Sequence, residues 1–179
     1  MQDFVILVDK KDNPIGTMEK LEAHQKGLLH RAFSVFIFND KDELLIQRRA
    51  LEKYHSPGLW TNTCCSHPKP NEALLDAAHR RLMEEMGMKC PNLFPVNSFI
   101  YKTDFDNGLI ENEYDHIVLG RSNDMPLINR EEVHEYAYLS IDSIKEKIKN
   151  TPDVYTYWFK LAISKINFFE ELKSLPKVA

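Results

Sequence analysis

The sequence predicts a single α+β domain over residues 1–179, with a mixed β-sheet core flanked by helices. Three observations carry this. Strand-like apolar runs and helical periodicities are interspersed at both ends of the chain. No internal repeat, low-complexity tract or interdomain linker interrupts them. A chain of 179 residues buries roughly two thirds of its unfolded surface, enough for one core without staples.

In chain order, Phe4 to Val8 is an apolar run suited to a strand, and KKDNPIG reads as a turn punctuated by Pro14 and Gly16. Thr17 is then placed to cap a short helix, MEKLEAHQK. Arg31 to Asn39 and ELLIQRR, separated by NDKD, form a hairpin pattern rich in aromatic and β-branched residues. LEKYHSPG is a loop leading to Trp60. From Leu75 onward, Leu75, Ala78, Leu82 and Met86 recur at steps of three and four, and Gly87 supplies a stop, which makes this a helix with one core face. CPNLFP reads as a break. Val96 to Phe105 and Glu113 to Leu119 read as strands around the polar turn DNG. A further strand is expected near Tyr136 to Leu139, after which Ser140 caps IDSIKEKIKN. Thr151-Pro152 repeats the device and opens a long terminal helix carrying Trp158, Leu161, Ile166, Phe169 and Leu172.

Composition narrows the function. A formal net charge of −4 with 28% charged residues argues against a nucleic-acid partner. No apolar run approaches the roughly 20 residues that span a bilayer, and the N-terminus lacks a basic region followed by an apolar one. The expectation is a cytoplasmic monomer acting on a small molecule. The cysteines at 64, 65 and 90 make no paired framework and no CxxC, so a reducing compartment with a functional thiol fits.

The stretch from Trp60 to Met88, WTNTCCSHPKPNEALLDAAHRRLMEEMGM, joins thiols, an imidazole and a carboxylate-bearing helix. Arg80 precedes Glu84 by one turn and Arg81 precedes Glu85, giving two charged strips. Glu72, Arg80, Leu82, Glu84, Glu85, Gly87 and Met88 fit the Nudix box, and on this basis the chain resembles the Nudix superfamily. Two positions depart: Ser66 replaces the first Gly, and Arg81 stands where a hydrolase places a metal-binding Glu. A guanidinium cannot ligate a cation. The TNTCCSHP segment ahead of this modified box resembles instead the type I isopentenyl diphosphate isomerase family, which carries Thr-Asn-any-any-Cys-any-His-Pro there.

Elsewhere in the chain, His24 and His30 lie six residues apart, suited to ligands on a helix end and a loop. Glu111 and Glu113 share a face if their segment is extended, and two such charges need a cation or a proton. The family resemblance implies that His24, His30, His67, Glu111 and Glu113 surround one divalent transition metal, for which Zn, Mn or Fe suit the donors better than Ca. It also implies that Lys20, Arg49, Lys53 and Arg81 bind a small diphosphate substrate. Glu85 and Cys65 would hold Mg at that diphosphate. Tyr101 and Trp158 would line the site, the indole facing a developing carbocation through its π face.

Isopentenyl diphosphate has an isolated double bond, so moving it requires protonation at one carbon and deprotonation at another through a tertiary carbocation. That chemistry needs an acid and a base on opposite faces, and a dry pocket. By resemblance Glu113 with Tyr101 protonates and Cys65 accepts, with roles that exchange on reversal. Cys64 points the other way along an extended strand and is assigned to packing. Two rivals are a Nudix hydrolase of a nucleoside diphosphate derivative, favoured by the Glu84-Glu85 pair, and a binding protein in which the histidines close a structural metal site.

Overall fold

The computed structural model describes residues 3–53, 55–105 and 107–175. Among these, β1 (Phe4–Val8) pairs antiparallel with β2 (Pro14–Glu19), and α1 (Lys20–Lys26) follows. The core strands are β3 (His30–Phe38) and β4 (Glu43–Arg49), which meet at the base of their hairpin, Phe38 opposite Leu44, and then splay apart. The gap between them receives β5 (Trp60–Thr61) on β4 and β6 (Cys64–Ser66) on β3. After α2 (Leu74–Met86) come β7 (Leu93–Asp104) and β8 (Ile110–Arg121), an antiparallel pair whose second strand lies parallel to β3. β9 (Val133–Ser140) closes the other side against β4. The chain ends in α3 (Ile141–Asn150), α4 (Tyr157–Lys165) and α5 (Phe168–Ser174). The α+β class with a mixed sheet is therefore observed, and no helix of the described residues is long and apolar enough to cross a membrane.

Side-chain alternation along β3 builds two cores, one on each face of the sheet. Phe33, Val35 and Ile37 pack with Ala77, Ala78, Leu82 and Met86 of α2. Phe36 and Phe38 face the opposite way, onto Phe159 of α4 and Phe168 of α5. Each fully buried Phe contributes about 1.5–3 kcal/mol. The two faces also separate the adjacent cysteines: Cys64 belongs to the α2 core, whereas Cys65 packs at the edge of the other.

Gly87 ends α2 in the left-handed region at φ 61°, its N–H bonding the Met83 carbonyl. A Cβ there would come within 2.5 Å of the Leu127 carbonyl oxygen, because the 127–129 segment crosses the helix end and bonds the carbonyls of Met86 and Glu85. Gly87→Ala is expected to destabilise the protein by about 1–3 kcal/mol through strain and displacement of that segment, measured as a fall in the denaturation midpoint.

Several boundary expectations are corrected. Asp9, accepting from the N–H groups of Lys11 and Asn13, closes the first turn, so Pro14 and Gly16 already belong to β2. Pro14 is tolerated because β2 is an edge strand. The strand continues through Glu19, opposite Phe4, and the Glu19 carboxylate rather than Thr17 caps α1. Leu93 to Pro95 open β7 instead of breaking the chain, a register shift between Pro95 and Asn97 absorbing the proline. The long terminal helix is three pieces: a 3-10 turn at Pro152–Val154, then α4, then α5. Asn167 divides the last two by capping α5 through its side chain. Ile166 thus lies between helices, and Phe169 is exposed. Asp106 of the DNG turn lies outside the described residues.

Candidate active site

Strand register assembles the site. His30 at the start of β3 lies opposite Glu113 on β8, and Glu113 lies opposite Tyr101 on β7, so one row across three strands carries three of the predicted groups. On the other side of β3, Ser34 stands opposite Cys65, and His67 follows directly after β6. His24 arrives from α1 at the buried face of that helix.

The TNT segment before the cysteines fixes them in place. Asn62 donates to the carbonyls of Val35 and Cys64 at 3.1 and 2.7 Å. The Thr63 hydroxyl donates to the Leu45 carbonyl at 2.6 Å and accepts from the Ile37 N–H at 2.9 Å. These side chains satisfy main-chain groups exposed where β3 and β4 splay, groups that would otherwise be buried without partners. All three cysteines are free thiols.

Four donor atoms, one each from His24, His30, His67 and Glu113, lie within 4.8 Å of one another and could hold a metal ion. The rings of His24 and His30 are oriented through Nδ1, against the carbonyls of Lys20 (2.6 Å) and Leu28 (2.8 Å). An Nδ1–H donating to a carbonyl leaves the Nε2 lone pair free, and both Nε2 atoms are buried without hydrogen-bond partners. His67 places Nε2 2.9 Å from Glu113 Oε1, with Nδ1 buried and unpartnered. Burial lowers the pKa of His24, and that of His67 to about 3, so both imidazoles are neutral donors. The donor set therefore fits a divalent metal.

Glu111 stands outside those four. Its Oε2 is 2.7 Å from the Tyr101 hydroxyl, which is also 2.6 Å from Glu113 Oε2. One phenolic hydrogen cannot serve two carboxylates, so the row needs a second proton. Burial, reinforced by the Glu113 charge, pushes Glu111 well up, so in the metal-free site that carboxyl supplies it. Glu113 is held low: its burial is outweighed by the His30 imidazole 3.6 Å away and by the His67 hydrogen bond. The result is a buried chain, Glu111–Tyr101–Glu113, sharing one carboxyl proton.

Cys65 lines the same cleft, about 170 Å³ in volume, as Tyr101, Glu111, Glu113 and Trp158. Burial raises its thiol to about 12, with Arg49 opposing. Trp158 is fixed because Thr156, at the start of α4, donates from its N–H to the Trp60 carbonyl and from its hydroxyl to Thr61. The predicted cations Lys20, Arg49, Lys53 and Arg81 all line the cleft. Arg81 is gripped by Glu84 at 2.7 Å and by Glu85 at 2.5 Å, while Lys53 pairs with Glu132. Glu85 is buried and also accepts from Gln47 at 2.7 Å.

Two cleft residues have no signal in the sequence pattern, His55 and Glu132. Both lie in loops, where no periodicity assigns a face. The hairpin reading of β3 and β4 does place the 50–59 loop at the Arg49 end of β4, which was the available clue for His55.

The NUDIX domain family model matches residues 28–159. DR0079 of Deinococcus radiodurans has the same fold, with a TM-score of 0.75 at 16% identity over 92% of this chain and 99% of that one. The fold and the box helix thus define a NUDIX protein. Closer in sequence are isopentenyl-diphosphate Delta-isomerase 2 of Photorhabdus laumondii subsp. laumondii, 54% identical over 94% of both chains, and the isopentenyl-diphosphate Delta-isomerase of Pectobacterium atrosepticum, 53% identical over 95% of both. The chain belongs to the isopentenyl-diphosphate Delta-isomerase family.

Proposed function

We propose that Cys65 and Glu113 move the protons by which this isomerase converts isopentenyl diphosphate into dimethylallyl diphosphate. The observation that carries the assignment is one cleft lined both by a half-buried thiol and by a buried carboxyl–phenol–carboxylate chain. A double bond shift needs one proton delivered and another removed, and these are the groups in the cleft able to do it. Glu113 with Tyr101 delivers the proton and Cys65 accepts the other; in the reverse direction the roles exchange. Burial keeps Cys65 a thiol at rest, so its proton first passes to the Glu111–Tyr101–Glu113 chain, leaving a thiolate acceptor and a protonated Glu113. Turnover gives the Glu113 proton to one carbon and returns a proton from another carbon to Cys65, which restores the resting site.

Trp158 supports the cationic intermediate by its π face, worth about 2 kcal/mol or more in a desolvated site. Lys20, Arg49, Lys53 and Arg81 hold the diphosphate, the arginines through their planar forks. His24, His30, His67 and Glu113, joined by Glu111, hold one divalent transition metal, zinc, manganese or iron. When bound, that cation supplies positive charge beside Glu113 and sets its acidity. Glu85 and Cys65 would hold magnesium at the diphosphate. The domain extends beyond the matched stretch, since α5 buries Phe168 against Phe36.

The hydrolase reading is disfavoured by Arg81, which stands where a hydrolase places a metal-binding Glu and whose guanidinium cannot ligate a cation. Assayed with isopentenyl diphosphate and a divalent metal, the protein is expected to form dimethylallyl diphosphate. It is expected to release no phosphate from nucleoside diphosphate derivatives. Phosphate release without isomerisation would reverse the choice.

A further inference from the structure

We propose that His55 is a positioning residue for the isomerisation, holding Glu111 and Trp158 in place from the loop that also carries Lys53. This inference rests on the roles given to Glu111 and Trp158 above. The loop between β4 and β5 is unusually constrained, with Ser56 at φ 47° and Gly58 at φ 68°. A non-glycine residue in the left-handed region persists where its surroundings hold it there. Here the carbonyls of His55 and Ser56 both accept from the Arg49 guanidinium, at 3.3 and 3.2 Å, and that guanidinium lies 5.5 Å from the Trp158 ring centroid.

The His55 side chain reaches the reacting side of the cleft. Its Nδ1 is 3.7 Å from Glu111 Oε1, and its ring stands edge-on to Trp158 with centroids 5.9 Å apart, and 5.7 Å from Phe105. The main chain of this residue thus meets a diphosphate-binding cation while its ring meets the carboxyl–phenol chain and the indole. A flat ring that packs on aromatics with a nitrogen 3.7 Å from a buried carboxyl contacts both neighbours and places a polar atom beside the carboxyl. A phenyl ring would satisfy Trp158 alone and leave Glu111 facing carbon, and an alanine would satisfy neither.

The test compares His55→Ala, His55→Phe and His55→Gln in the full-length, metal-loaded enzyme, reading kcat, KM for isopentenyl diphosphate and bound metal per chain. His55→Ala is expected to lower kcat about 10- to 100-fold, since small misplacements near reacting groups cost this much. KM should stay within about threefold and metal content should match the wild type, the pattern of lost transition-state positioning. His55→Gln, which keeps a polar atom near Glu111, should recover about tenfold over alanine, and His55→Phe should not. Wild-type kcat in His55→Ala overturns the proposal, as does equal recovery by Phe and Gln, or loss of metal along with activity. Glu111→Gln and Trp158→Phe serve as controls. If both keep the wild-type rate, the reading of the site fails; if both lose rate while His55→Ala does not, only the His55 assignment fails.

Discussion

Cys65→Ala is expected to give a folded protein with isomerisation reduced to background, while Cys64→Ala keeps most of the wild-type rate. The two thiols are neighbours in sequence and opposites in space. Cys64 is fully buried against the α2 face with Leu82 and Met86, away from the cleft, and burial keeps it a thiol. Removing its sulfur leaves a small void and costs about 1 kcal/mol of stability, leaving the chemistry intact. Cys65 lines the cleft opposite Ser34, and no other thiol among the described residues lines it. On the proposed assignment Cys65→Ala leaves a proton-transfer group on one face of the alkene only, and loss of general acid–base catalysis at one step costs about 10²–10⁴-fold. Rates of dimethylallyl diphosphate formation, with circular dichroism to check folding, decide between the two cysteines. Activity retained in Cys65→Ala and lost in Cys64→Ala would reverse the assignment.

Removal of the divalent metal by a chelator is expected to abolish turnover and lower thermal stability together, and addition of Zn, Mn or Fe to restore both. Two buried imidazoles and a half-buried one, each with an unpartnered buried nitrogen, converge near one carboxylate, so the metal-free site carries desolvated polar atoms that a cation would satisfy. Metal at about 100 times its Kd adds about 2.7 kcal/mol to the folded state by linkage. In His24→Ala and His67→Ala the metal-dependent rise in Tm should shrink or vanish. His134→Ala is the control, a histidine exposed on β9. A Tm indifferent to metal in the wild type, or a rise that survives both substitutions, would remove the metal centre from the account.

Sequence pattern revealed the elements whose local chemistry and packing agree. The box helix shows its core face through Leu82 and Met86 and its end through Gly87, and Ser140 caps α3 as its position after a strand suggests. Elements governed by tertiary contacts were not legible. Pro14 and Gly16 have turn chemistry, yet pairing with β1 draws them into a strand. Ile166 and Phe169 continue a helical spacing, yet Asn167 restarts the helix, a capping residue that reads as an ordinary polar position inside a periodic stretch. In the site, Glu111 and Glu113 were visible as a same-face pair because two-residue alternation is a local property. That Tyr101 would sit opposite Glu113 depends on the β7–β8 register, which includes an irregularity at Pro95 to Asn97. His55 and Glu132 reach the cleft from loops, whose paths follow from neither periodicity nor capping.

Proton exchange at carbon tests the central claim most directly. Isopentenyl diphosphate is incubated with the metal-loaded enzyme in heavy water and followed by NMR. The account predicts dimethylallyl diphosphate carrying deuterium, delivered by a protein group that has exchanged with solvent. Substrate that remains unchanged while metal is bound, or product formed without any deuterium, would contradict it.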